Sequence, residues 1–344
     1  MPWPRRYPAG CARGRAGSCQ REPKMSELSQ HTYEANGIRM HTAEQGDGPP
    51  VILCHGFPEL WYSWRHQLPA IADAGFRAIA PDMRGYGETD APPRIEDYAH
   101  EQICADMLGL LDAIGEQRAV FVGHDWGGAI VWALALHYPE RVRAVAGVNT
   151  PFAPAGPTSP AEARNANPGR WDYQLYFQDP GVAEAELEAD VERTFRLTFR
   201  SSDPADGFDV LAGSHDVRAR GGWLAGYPAD APRSVMLSAE ELDYFVQTFR
   251  RTGFRGGLNW YRNQEVNWRW ARTVADPKIE RQALMVTAGK DPILTPDLAS
   301  HMEQWIPQLS RGHIEQSAHW TQQEAPEALN RILVDWLRSL PATR

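Results

Sequence analysis

At 344 residues, 42% apolar and 23% charged, the chain has the length and composition to bury a large core. The formal net charge is −9, and the first 24 residues carry six basic side chains against one acid, which leaves the remainder at −14. An acidic body without a basic stripe excludes nucleic acid and anionic membranes as expected partners.

Residues 1–24 are rich in Pro, Gly and Arg without periodicity and are expected to be a disordered tail, with Met25 as the expected natural start. Cys11, Cys19, Cys54 and Cys104 show neither CxxC nor Cys/His ligand spacing, so no zinc site or disulfide framework is expected. A reducing, cytoplasmic location fits this pattern. Apolar runs are too short to span a bilayer, and the tail lacks the apolar stretch of a secretory signal.

From Met25 to Pro151 the apolar runs Val51 to Cys54, Phe76 to Ala80, Ala119 to Val122 and Val142 to Val148 read as buried strands. Helical patterns near 61–74, 97–114 and 127–138 separate them. Such alternation predicts an α/β fold, a mostly parallel sheet flanked by helices. The same grammar returns after residue 276, with strands at Ala283 to Ala288 and His313 to Gln316 and a final helix striped by Leu329, Ile332, Leu333, Trp336, Leu337 and Leu340.

Between them, residues 152–275 show no convincing strand. Leu187, Val191, Phe195 and Phe199 recur every fourth position and predict one helix over 181–199, with acids early and arginines late. Ser238 and Glu241 make a capping box before another, and 258–270 gives a third. This region is expected to be a helical cap inserted into a core formed by 25–151 and 276–344.

The chemistry starts at "GHDWGG", residues 123–128, where strand, glycine-flanked turn and helix form the frame of a nucleophile elbow. An aspartate, Asp125, stands at its nucleophile position. In chain order Asp125, Asp291 of "AGKDPIL" and His319 of "SAHWTQ" follow the nucleophile–acid–base order of α/β-hydrolase triads. A serine that attacked a saturated carbon would become a stable ether and the enzyme would stop. An aspartate becomes an ester, and water deprotonated by His319 can then release it. The substrate carbon is therefore expected to be saturated and electrophilic.

Asp291 would orient His319, and the backbone N–H groups of Phe57, in "HGFP", and Trp126 would receive the oxyanion. Haloalkane cleavage and epoxide opening both satisfy this scheme. They differ in that an epoxide oxygen must be protonated, a task suited to Tyr173 and Tyr261 of the cap.

The segments HGFP, "PDMRGYG", GHDWGG, "DYQLYFQDPGVAEAELE", "GFRGGLNWYRN", "LMVTAGKD" and "RGHIEQSAHWTQ" resemble the epoxide hydrolases of the α/β-hydrolase superfamily, most closely the hydrolase domain of the soluble type. The resemblance covers residues 30–340. It implies Asp125 as nucleophile, His319 as base, Asp291 as its orienter, Tyr261 as proton donor and Tyr173 as co-donor. No cofactor and no metal are expected, and the aromatic, Leu- and Phe-rich cap suggests an apolar pocket for a small epoxide, with water as the second reactant.

Phe57, Trp126, Gln174 and Trp320 are expected to line the substrate site with the two tyrosines. Without the resemblance the tyrosines read as cap packing, and His319 by itself as an ordinary loop histidine. His55, His124, Trp61 and Trp64 are read as structural, and Arg84 as a loop-fixing donor.

Competing readings are a haloalkane or haloacid dehalogenase on the same core and a non-catalytic small-ligand binder. Against the former, Phe57 stands where haloalkane enzymes tend to have a halide-binding asparagine, and no arginine follows Asp125. The sequence is compatible with a monomer or a homodimer.

Overall fold

The structure, a computed structural model, describes residues 27–341 apart from 168, 170 and 171. The expected tail, with Cys11, Cys19 and Met25, lies outside the described residues. Eight strands form one sheet: β1 (Ser29–Ala35), β2 (Ile38–Gln45), β3 (Pro50–Cys54), β4 (Arg77–Pro81), β5 (Ala119–His124), β6 (Val142–Val148), β7 (Ala283–Ala288) and β8 (Leu309–Ile314). Their spatial order is β1-β2-β4-β3-β5-β6-β7-β8. The pairs β1/β2 and β2/β4 are antiparallel, and every later pair is parallel.

The central strands are buried on both faces, which is why they read as continuous apolar runs. Alternate side chains of β5 divide between two cores. Ala119 and Phe121 join one with Ile103, Met107 and Leu110 of the helix α1 (His100–Ala113), whereas Val120 and Val122 join the other. That second core takes Leu329, Leu333, Trp336 and Leu337 from the C-terminal helix Pro326–Ser339, as its stripe predicted.

The first two strands escaped the sequence reading. β1 is largely exposed, and β2 buries polar His41, Thr42 and Glu44, so neither shows an apolar run. Their signal was the turn Asn36-Gly37, both at positive φ (50° and 75°), as a two-residue hairpin requires.

Other boundaries also move. The strand expected at His313 to Gln316 is β8, Leu309–Ile314, which has polar, exposed Ser310 and Arg311 after its first residue. The helix expected over 61–74 divides into a short turn of 3-10 helix, Trp61–Trp64, and a helix over Gln67–Asp73. The one expected over 97–114 begins only at His100, because Ala99 is extended (ψ 150°). The single helix expected over 181–199 is two, Val182–Ala189 and Val191–Thr198. Asp190 breaks it by leaving the helical conformation and capping the second helix through the N–H of Arg193, at 2.9 Å.

Between β6 and β7 every regular element among the described residues is helical. They include α2 (Asp172–Tyr176), α3 (Ala239–Thr252), α4 (Arg255–Tyr261) and α5 (Gln264–Ala271). The expected capping box of α3 is present, with Ser238 Oγ accepting from the Glu241 N–H and Glu241 Oε2 accepting from the Ser238 N–H. The helical segment is tied to the core loops by side-chain bonds: Trp260 donates to the Arg84 carbonyl at 3.2 Å, Trp320 to the Thr198 carbonyl at 3.0 Å, and Trp61 to the Tyr244 hydroxyl at 2.8 Å. Arg84 itself is fixed by a buried two-point pair with Asp106. Among the described residues no helix is long and apolar enough to cross a membrane.

Candidate active site

Asp125 follows β5 immediately and adopts φ 52°, ψ −122°, a conformation that costs a side-chain-bearing residue energy and here turns the carboxylate out of the sheet. Two glycines make room for the turn. A Cβ on Gly56 would stand 2.1 Å from Asp125 Oδ1, and one on Gly127 would stand 2.1 Å from the Cys54 carbonyl. The Phe57 N–H donates to Asp125 Oδ1 at 2.8 Å, and the Trp126 N–H also bonds the carboxylate. The Thr150 hydroxyl holds the Asp125 carbonyl at 2.7 Å. Burial raises the Asp125 pKa, while His319, His124 and the two backbone N–H groups pull it down.

The loops after β7 and β8 supply the other two members of the expected triad. His319 Nδ1 donates to Asp291 Oδ2 at 2.9 Å, and its Nε2 lies 3.8 Å from Asp125 Oδ2. Burial penalises the charged Asp291, yet His319, Asn149 and the Leu294 N–H outweigh it and hold the carboxyl well below its ordinary range. Burial likewise opposes a charge on His319, but Asp291 and Asp125 raise its pKa to about 9. The two carboxyl groups that His319 faces thus favour its protonated form.

Tyr173, on α2, and Tyr261, on α4, come together with ring centroids 6.0 Å apart. Tyr261 packs against Trp126 at 5.0 Å, Phe57 at 5.4 Å and Phe177 at 5.0 Å. Gln178 clips the two helices by donating to the carbonyls of Gln174 and Tyr261. Burial, and then the charge of Asp125, push the Tyr261 hydroxyl far above its usual range, and burial raises that of Tyr173 too. Both hydroxyls stay protonated.

The expected lining residues divide. Phe57 and Trp126 stand beside the carboxylate. Gln174 donates to the Tyr173 hydroxyl at 3.0 Å and accepts from Gln264 at 2.7 Å, so its amide is engaged in orienting the tyrosine. Trp320 is packed between His319 and Phe199, both at 4.7 Å, with its N–H used by Thr198.

Sequence reasoning missed two supports. Asn149, at φ 62° just after β6, donates to Asp291 Oδ2 at 2.7 Å and to the carbonyls of Ala318 and His319. Glu59, fully buried, accepts from the Gly56 N–H at 2.9 Å and pairs with His124 Nδ1 at 2.8 Å, and His124 Nε2 donates to the His319 carbonyl at 2.7 Å. Gln322 bonds the same glutamate. The signal for Glu59 was an acid directly after HGFP. His55 and His124 are structural, as read: His55 accepts from the Met83 N–H and bonds the Gly56 carbonyl.

A carboxylate on an elbow after the fifth strand, facing an Asp–His pair at the carboxyl edge of the same sheet, defines a hydrolase of the α/β fold with aspartate in the nucleophile's place. A family model described as "alpha/beta hydrolase fold" matches residues 49–326. The chain belongs to that family and, within it, to the epoxide hydrolases.

Bifunctional epoxide hydrolase 2 of Sus scrofa is 53% identical over 304 residues, which are 88% of this chain and 54% of that protein. The chain thus spans about half the length of that relative. Epoxide hydrolase A of Mycobacterium tuberculosis is 40% identical over 92% of this chain and 99% of its own. The crystal structure of Epoxide Hydrolase A from Mycobacterium thermoresistibile superposes with a TM-score of 0.83 at 41% identity, covering 92% of this chain and all of that one.

Proposed function

We propose that this protein hydrolyses epoxides to vicinal diols through an ester on Asp125, with residues 25–151 and 276–344 as core and 152–275 as a cap that closes over the substrate. The observation that carries the reading is the pair of buried tyrosine hydroxyls held by the cap beside a carboxylate that already accepts two backbone N–H bonds. A halide would leave as an anion and need no proton, so two O–H donors suit an oxygen leaving group.

The steps balance. Asp125 attacks an epoxide carbon, the carbon–oxygen bond breaks, and Tyr261, assisted by Tyr173, gives its proton to the departing oxygen. Esterification removes the Asp125 charge, one of the two carboxylates that keep His319 protonated. The imidazolium then yields its proton to the tyrosine oxygen and becomes a neutral base. It takes a proton from water, and the hydroxide adds to the aspartyl carbon.

The Phe57 and Trp126 N–H groups hold the resulting oxyanion, each such donor being worth about 3 kcal/mol in related sites. Collapse expels the ester oxygen, which takes the proton of the added hydroxyl, and so frees the diol and leaves the Asp125 carboxylate and the His319 imidazolium. Every transfer runs between side chains, substrate and water.

Hydrolysis of one equivalent of epoxide by excess enzyme in oxygen-18 water tests this. The first diol is expected to carry unlabelled oxygen from Asp125 and the label to enter the protein. Label in the first diol with none in the protein ends the reading. We further assign the protein to a reducing, cytoplasmic setting, supported by the free and buried Cys54 and Cys104, as a monomer or homodimer.

A further inference from the structure

Three half-buried side chains that the steps above leave unused are joined in one line ending on Tyr173. Arg164 stands on the helix Pro160–Ala166, Gln264 opens α5, and Gln174 follows Tyr173 on α2. Arg164 Nη1 donates to Gln264 Oε1, Gln264 Nε2 donates to Gln174 Oε1 at 2.7 Å, and Gln174 Nε2 donates to the Tyr173 hydroxyl oxygen at 3.0 Å. The three elements are fixed to one another. A capping box of Ser159 and Glu162 starts the first helix, its Ala161 N–H donates to Glu265 Oε1 on α5 at 2.7 Å, and Gln178 holds the Gln174 backbone carbonyl at 2.8 Å.

The sense of the line follows from its first member. A guanidinium has donors and no acceptor, so Gln264 turns its oxygen to Arg164 and its NH2 faces Gln174. Gln174 in turn presents its oxygen to Gln264 and its NH2 to Tyr173. A carboxamide by itself sits either way round, whereas these two are set by the arginine. The Tyr173 oxygen is thereby an acceptor on its Gln174 side, and the hydroxyl proton points elsewhere. Burial raises the Tyr173 pKa and the Gln174 bond opposes that rise, because an N–H donated to a phenol oxygen favours the phenolate.

We propose that Arg164, Gln264 and Gln174 are positioning residues for ring opening, a one-way relay of donated hydrogen bonds that turns the Tyr173 proton to the epoxide oxygen and steadies the tyrosine oxygen as that proton leaves. The inference rests on the epoxide reading above and adds three residues to its first step. The charge of Arg164 enters at the far end, so both amides are polarised in the same direction and the last N–H donates more strongly.

Gln264 is the point at which the sense can be reversed. A glutamate there only accepts, from Arg164 and from Gln174 alike, so Gln174 has to turn its amide over, and its oxygen then draws the Tyr173 proton away from the substrate. Gln264→Glu is expected to slow alkylation in stopped-flow measurements as far as Tyr173→Phe does, while ester hydrolysis stays near the parent rate. Gln264→Leu ends the relay without reversing it and is expected to slow alkylation about three- to tenfold, the effect of one neutral hydrogen bond. In a Tyr173→Phe background neither substitution is expected to slow it further.

A residue that only packed the cap would tolerate glutamate, which has the size of glutamine, better than leucine. Alkylation by Gln264→Glu as fast as by Gln264→Leu or faster, or a loss that persists without the Tyr173 hydroxyl, overturns the proposal and leaves the hydrolase reading standing. If the parent protein opens no epoxide, that reading fails, and binding of an uncleavable acceptor decides the relay. N-hexylacetamide offers one carbonyl oxygen to the tyrosine protons. Its Kd from tryptophan quenching should rise more in Gln264→Glu than in Gln264→Leu, and an affinity that does not distinguish the parent from Gln264→Glu ends the proposal.

Discussion

Asp125 and Tyr261 are held by different means. Asp125 is placed by backbone: the end of β5, a positive φ, two glycines with no room for a side chain, and N–H groups from two loops. Tyr261 is placed by packing, its ring meeting Phe57, Trp126, Tyr173 and Phe177 at 5.0 to 6.0 Å. A backbone-built site tolerates no substitution of its reacting atom and little of its turn. A packed site keeps its shape when a hydroxyl is removed, because the ring stays. The core should therefore fail completely and the cap by degrees.

The largest expected effects are in the core. Asp125→Ala should form no covalent adduct and lower diol formation by about 10⁴-fold or more, the scale seen when a nucleophile is removed from a triad. His319→Gln should still be alkylated but not released, lowering turnover by a similar order while the protein gains the mass of the epoxide in intact mass spectrometry. An adduct on Asp125→Ala, or free turnover by His319→Gln, would break the division of labour between the two residues.

Tyr261→Phe and Tyr173→Phe sharpen the contrast. Each removes one hydrogen bond to a developing alkoxide, worth about 1.5 to 3 kcal/mol, so each alone should slow alkylation by about 10- to 150-fold in stopped-flow measurements. The double variant should lose ring opening while keeping the fold. If it opens epoxides at the parent rate, the cap contributes shape only.

How legible each half was follows from the same difference. Ala119 to Val122 announces a buried strand, and the Asp125, Asp291, His319 order places three loops at one sheet edge without knowledge of any contact. Nothing in "DYQLYF" or "LNWYRN" distinguishes Tyr173 and Tyr261 from Tyr176 or Tyr244, because aromatic packing has no spacing rule across chain separations this long. The chemistry asked for O–H donors from the cap and made these two candidates, but only the family resemblance outweighed the packing reading. Asn149 was hidden for another reason: its left-handed φ and its bonds to Asp291 and to two carbonyls are tertiary facts with no local pattern. The β1–β2 hairpin lacked an apolar run and was carried by two turn residues alone.

Asn149→Ala tests such a support. Asp291 keeps the N–H bonds of Ile293 and Leu294 at 2.9 Å each but loses the amide that holds the oxygen facing His319. Ester hydrolysis should fall about tenfold, the effect expected of losing one charge-assisted bond, while the alkylation rate stays close to that of the parent. Equal loss in both steps would mean that Asn149 holds the whole elbow rather than the acid.

The smallest expected effect is one of stability, and it turns on sign. The His319 pKa is 6.5 as an unperturbed group and about 9 in the folded protein, so folding takes up a proton between those values. Its contribution is complete below about pH 6.5 and disappears as pH rises through about 9. Over the single step from pH 8 to pH 9 it should fall by about 1 kcal/mol, and continue to zero above.

Other groups titrate in the same range, so the quantity to follow is the urea-unfolding free energy of the parent minus that of His319→Gln, in which shared titrations cancel. A gap that narrows with rising pH fits an imidazolium clamped between Asp291 and Asp125. A gap that is flat from neutral pH upward would mean that His319 rests neutral, and the proton it hands to the tyrosine after esterification would then have to come from solvent.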